Sequence, residues 1–124
     1  KYIILRYLKA MNNNAKQWLV ELRSNRYQQG KGRLRENNEF CCLGVACDLA
    51  VNEGVIEEPY KSAFNGIYSY GKSQSKLDHK VLKWLGLKQE CQGSLINLND
   101  DYGYTFKEIA DYLEKNQDEM FVVQ

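Results

Sequence analysis

The sequence predicts an α+β fold: a compact single domain, residues 1–124, of about four helices packed around a short antiparallel β-hairpin or small sheet. Three observations carry this expectation. Apolar residues recur at helical spacing in separate stretches, the period changes from 3.6 to 2 between Tyr27 and Arg35, and the run Cys41 to Val51 is apolar on every face except at Asp48. With 124 residues, 44% of them hydrophobic, the chain can bury one core without disulfides or metals as staples. No apolar run approaches the roughly 20 residues that span a bilayer, and Arg6 interrupts the lead Tyr2–Leu8. A protein kept in the cytoplasm, with no membrane partner, is expected.

Residues 1–10 form an apolar and basic lead before Met11, which is itself a candidate second start site. Residues 1–13 and the tail 118–124 are expected to be peripheral or to serve contacts in a homo-oligomer. From Asn14, read as the N-cap, Ala15, Trp18, Leu19 and Leu22 form the apolar stripe of a helix ending near Arg26. If Tyr27–Arg35 is extended, Tyr27, Gln29, Lys31, Arg33 and Arg35 point to one side and Gly30, Gly32 and Leu34 to the other. Glu36-Asn37-Asn38-Glu39 then turns the chain into a return strand beginning at Phe40. Cys41–Val51 reads as a central buried helix, in which Asp48 needs an arginine or several hydrogen-bond donors.

Val55–Ser73, rich in glycine and aromatics, reads as a loop with one short strand around Ile67–Tyr70. A capping pattern from Ser75 to Asp78 opens a helix carrying Leu77, Val81, Trp84 and Leu85 and stopping at Gly86, with Leu87 packing back. Ser94–Asp101 reads as a helical turn that buries Leu95 and Leu98 and leaves Asn97, Asn99 and Asp100 at its polar side. Thr105 and Glu108 form a capping box for a last amphipathic helix, with Phe106, Ile109, Ala110 and Leu113 facing inward. The apolar tail Met120–Val123 suggests an added strand or a subunit contact.

Net charge is +1, but residues 1–35 hold nine Lys/Arg against Glu21 alone, a local charge of +8 that leaves −7 on the rest of the chain. Either the two parts complement each other across the fold, or the basic third meets an anionic partner. The four cysteines do not resemble a metal or disulfide framework: Cys41, Cys42 and Cys47 sit in an apolar run as buried reduced thiols, and the only histidine, His79, stands beside Lys80 and Lys83. With no GxSxG, P-loop or Ser/His/Asp ordering, a non-enzymatic protein is expected, without catalytic residues, metal or cofactor. A cationic face flanked by aromatics and amides suits a phosphate-containing ligand, and the candidate ligand-binding residues are Arg23, Arg26, Tyr27, Gln29, Arg33, Arg35, Asn99 and Asp100.

Four blocks, WLxxLRSxxYxQxxGxLR, FCCLGVxCDL, WLGL and LND…FxEIADYLE, together resemble a family of small proteins encoded in phages, prophages and bacterial genomes, over about Trp18 to Glu114. The matching positions include Trp18, Leu22, Arg23, Tyr27, Gln29, Gly32, Leu34, Arg35, Cys41 to Val45, Trp84 to Leu87, Asn99, Asp100 and Ile109 to Asp111. Ser75-Lys76-Leu77 departs from the leucine-proline step usual before the WLGL helix. The resemblance implies a phage protein acting by binding in the host cytoplasm: a counter-defence sponge that sequesters a small nucleotide, such as a cyclic nucleotide or cyclic ADP-ribose immune signal. A nucleic-acid-binding module and a protein inhibitor of a host defence factor are the alternatives.

Overall fold

Why the chain needs a glycine in the middle of its most apolar helix explains how the fold is assembled. A Cβ on Gly44 would lie 1.7 Å from the carbonyl oxygen of Leu34, so the helix can only approach the preceding segment this closely without a side chain there. The helix is α2, Cys42–Asn52, and Cys42 to Cys47 are all buried. As its composition predicts, it lies at the centre. Helix α1 (Asn13–Leu22) packs on it, and the buried Trp18 indole donates to the Cys42 carbonyl at 3.0 Å. The computed structural model describes residues 10–122. Of residues 1–13, expected to be peripheral or in oligomer contacts, 1–9 lie outside the described residues, while Ala10 and Met11 are buried.

The remaining elements in chain order are β1 (Gln28–Gln29), β2 (Arg35–Glu36) and β3 (Glu39–Phe40) before α2. After it come β4 (Tyr60–Lys61), β5 (Tyr68–Ser69), α3 (His79–Leu85), a 3₁₀ turn (Gln89–Cys91), α4 (Gln92–Asp100), α5 (Phe106–Lys115) and α6 (Gln117–Met120). The class is the α+β arrangement the sequence predicts, with more elements than expected. Helix α3 ends as predicted at Gly86, and the Leu87 amide donates back to the Leu82 carbonyl at 3.2 Å. The capping box at Thr105 is formed, with both reciprocal bonds, and Phe106, Ile109, Ala110 and Leu113 are buried.

Several local expectations are corrected. Asn12, not Asn14, caps α1, because its Oδ1 receives the Ala15 amide at 2.8 Å, and the helix closes at Leu22, a turn before Arg26. Asp78, not Ser75, caps α3. The loop Val55–Ser73 contains a second hairpin, β4 with β5, rather than one strand. Basic residues 27–35 are not one continuous strand: β1 pairs parallel to β3, and β2 forms the predicted hairpin with β3 about the Asn37-Asn38 turn. The Ser94–Asp101 turn is a full helix. Met120 and Phe121 are buried against the protein's own fold, with a bridge between Leu87 and Phe121 and the Lys88 amide donating to Met120 at 2.9 Å. Among the described residues no helix is long and apolar enough to cross a membrane.

One further bridge organises the surface. Glu36 pairs antiparallel with Ile67, which joins the two small sheets and places Arg35 opposite Tyr68. Register then runs Gln29–Phe40–Arg35–Tyr68–Lys61 across five strands, so these side chains share one face.

Candidate functional site: a stacked arginine on a five-strand row

The basic residues predicted as one face divide into two kinds. Arg23 at the end of α1 reaches Asp111 at 2.7 Å and Glu114 at 3.0 Å on α5, and its pKa is raised by those two carboxylates against the opposing effect of burial. Arg26 turns back on Glu21, donating from Nε at 3.0 Å and pairing through Nη2. Complementation of the basic third by the acidic remainder of the chain therefore holds for Arg23, whereas Arg26 is neutralised within the basic third itself, by its one carboxylate. Among the described residues Lys31, Arg33 and Arg35 form no ion pair with a carboxylate, and Lys31 and Arg33 are exposed.

Arg35 is half-buried and held by rings. Its guanidinium carbon lies 3.9 Å from the centroid of Tyr68 and 4.9 Å from that of Phe40, both within cation–π range. Its Nε donates to the Asn37 carbonyl at 2.8 Å and its Nη2 to Asn38 Oδ1 at 3.4 Å, which leaves part of the five-donor fork for a ligand. Lys61 places its ammonium 5.8 Å from the same Tyr68 ring. Two cations of the row thus share one aromatic platform.

Beneath the row, Tyr27 packs edge-on against Phe40 at 5.0 Å, and its hydroxyl donates to Asp48 at 2.5 Å. Of the two kinds of partner expected for Asp48, an arginine or hydrogen-bond donors, the described residues supply a donor, the Tyr27 phenol. Burial, and then the bond to Asp48, push the Tyr27 pKa well above its ordinary value. The neighbouring Tyr70 is fully buried and its hydroxyl has no hydrogen-bond partner among the described residues; burial raises its pKa too, while the Arg35 charge opposes that shift from beyond hydrogen-bonding geometry.

Gln29, Asn99 and Asp100 are brought together, but as a joint in the fold. Asn99 is only 1% exposed, which corrects the expectation that it lies on the polar side of its helix. Its Oδ1 accepts from Gln29 at 2.8 Å and from the Cys42 amide at 3.2 Å, and its Nδ2 donates to the Gly30 carbonyl and to Asp100, each at 2.8 Å. Gln29 also donates to the Tyr104 carbonyl at 2.8 Å and accepts the Phe106 amide at 3.1 Å. One pair of amides therefore fastens β1 to the start of α2, to α4 and to the start of α5.

Cys41, Cys42 and Cys47 lie inside as predicted, and Cys91 is partly exposed. Burial raises the Cys41 pKa to about 11 and those of Cys42 and Cys47 well above the usual thiol value, so all three are protonated at neutral pH and poor nucleophiles. Among the described residues no cluster of three His, Cys, Asp or Glu side chains is placed to hold a metal.

Sequence reasoning missed Lys61, Phe64 and Tyr68. The signal was present: Asn65-Gly66 between aromatic and β-branched residues is a hairpin turn pair. That hairpin projects Phe64, 99% exposed, beside a concave surface of about 560 Å³ lined by Asn37, Lys61, Phe64, Asn65 and their neighbours.

Fold and site together define a small α+β domain with a cationic-aromatic surface on a composite sheet. A family model described as a domain of unknown function (DUF8296) matches residues 11–117, and the chain belongs to that family. No curated protein matches it, nor does any solved structure.

Proposed function

We propose that the protein is a non-enzymatic binder that sequesters a phosphate-containing small molecule on the surface formed by Arg35 and Lys61. The observation that carries this reading is the setting of Arg35: stacked on Tyr68, unpaired with any carboxylate among the described residues, and already oriented by Asn37 and Asn38. A guanidinium fixed in this way loses little further freedom when its remaining N–H groups meet a phosphate, which makes it a better anion contact than a mobile surface lysine. Arg23 and Arg26, which have carboxylate partners, serve the fold in this reading. The protected thiols and the lone exposed His79 favour binding over turnover.

The test is to heat-release any small molecule from purified protein and to titrate a nucleotide panel calorimetrically. A released species that absorbs at 260 nm and contains phosphate, or binding in the micromolar range or tighter, is expected. No released species together with no binding across the panel refutes the reading. A single-stranded nucleic acid is the second reading, favoured by the exposed Lys31, Arg33 and Phe64. Its mark is an affinity that falls steeply with salt as counterions are displaced.

A further inference from the structure

The concave surface next to Arg35 points to what else the ligand carries. We infer that Asn37, Lys61, Phe64 and Asn65 form a base-binding subsite, so that the molecule held by Arg35 is a nucleotide whose base stacks on Phe64; this rests on the anion-binding reading above.

A single exposed apolar residue is ordinary on a protein surface and carries nothing by itself. Here four further features converge on it. The concavity is about 560 Å³, within the range of small-molecule sites, and Phe64 lines it. The Asn37 side-chain amide has no hydrogen-bond partner among the described residues, and Asn65 engages only its Oδ1, which receives the Ile67 amide at 3.0 Å. The surface therefore offers amide donors and an acceptor of the kind that reads the edge of a base. Lys61 lines the same concavity and reaches the Tyr68 platform on which Arg35 lies, which links the ring end to the anion end.

The two ends are also held in fixed relation. The Asn37 amide donates to the Gly66 carbonyl at 2.8 Å, and the Asn37 carbonyl accepts from Arg35. Gly66 has φ +71°, and a Cβ there would meet Asn37 Oδ1 at 2.1 Å, so only glycine lets this side chain lie across the second hairpin. Asn37 is thus the hinge piece between the arginine and the concavity, touching one with its carbonyl and lining the other.

Calorimetry with pyrophosphate, ADP and a single-stranded oligothymidylate, on the unaltered chain and on Phe64→Ala, tests the subsite. Phe64 is almost wholly exposed, so the variant keeps the fold, which circular dichroism checks. ADP is expected to bind at least about tenfold more tightly than pyrophosphate, and Phe64→Ala to remove that advantage while leaving pyrophosphate unchanged, as loss of one stacked base would do. Equal affinity for ADP and pyrophosphate, insensitive to Phe64→Ala, would overturn the subsite and leave the anion site standing. Failure of all three probes overturns both readings. Binding of the oligonucleotide alone, lost in Phe64→Ala, keeps the stacking subsite and overturns the free nucleotide as its ligand.

Discussion

The Arg35 guanidinium lies 3.9 Å above the Tyr68 ring, on a strand that the chain reaches only after passing through the whole central helix. The Glu36–Ile67 bridge makes that contact obligatory, since antiparallel register places residue 35 opposite residue 68. An arginine so held presents a positive charge and a planar fork of donors in one place. Replacing it tests both properties. Arg35→Ala is expected to weaken binding of a phosphate ligand by about tenfold to a hundredfold, the equivalent of about 1.5–3 kcal/mol for a charged hydrogen bond. Arg35→Lys should recover little of this, because an ammonium neither stacks as a plane nor offers a fork. Calorimetric titration of the three proteins reads the ranking.

Asn99 is expected to be a stability residue. Truncation to alanine strips partners from the Cys42 amide, the Gly30 carbonyl and the Gln29 side chain at once, all within or beside the core. Each orphaned buried group costs about 1–3 kcal/mol unless water reaches it, so Asn99→Ala should lower unfolding free energy by about 2–4 kcal/mol. Urea denaturation measures it. Asn99→Asp should also destabilise, since the carboxylate can no longer donate to Gly30 and is placed beside Asp100.

Alkaline conditions should loosen the fold. Burial raises the folded pKa of Cys41, Cys42 and Cys47, and of Tyr27 and Tyr70, above the values of about 8.5 for thiols and about 10 for phenols in unfolded chains. Where the folded pKa is the higher, the folded state holds protons that the unfolded state has lost, so stability is complete below the unfolded pKa and falls as pH rises past it. Denaturation midpoints are expected to hold steady to about pH 8 and then decline, with a second fall beyond about pH 10. In Tyr27→Phe the second fall should be shallower. A midpoint independent of pH up to 11 would contradict these shifts.

Much of this fold is legible locally, and what is not legible depends on distant partners. The Thr105 capping box, the Gly86 stop and the all-apolar Cys41–Val51 run each act within a few residues, so the chain states them openly. Asn99 looks like a surface helix residue because its partners are at positions 29, 30 and 42. Arg23 looks unpaired because Asp111 and Glu114 come far later in the chain. The stacked site was hidden for the same reason: its aromatic half, Tyr68 with Lys61, belongs to a second hairpin whose Asn65-Gly66 signal sits in what reads as loop.

Gly44 and Gly93 form a matched pair for testing the account of the core. Both sit in helices, where glycine is ordinarily a poorer choice than alanine by about 0.5–1 kcal/mol. A Cβ at position 93 meets nothing within 4 Å, so Gly93→Ala should be neutral or stabilise slightly. At position 44 the same methyl would lie 1.7 Å from the Leu34 carbonyl oxygen and 2.6 Å from its carbon, both backbone atoms that cannot rotate aside. Helix α2 would have to withdraw from Leu34, breaking the Cys41 amide bond to that carbonyl, 3.2 Å long. Gly44→Ala is therefore expected to cost about 3 kcal/mol or more, at the upper end of overpacking penalties. Because Leu34 immediately precedes Arg35, it should also weaken phosphate binding, whereas Gly93→Ala leaves binding unchanged. Thermal melts and calorimetry on the two variants decide it, and a Gly44→Ala protein as stable as the Gly93→Ala one would show that the contact between α2 and Leu34 does not hold the site.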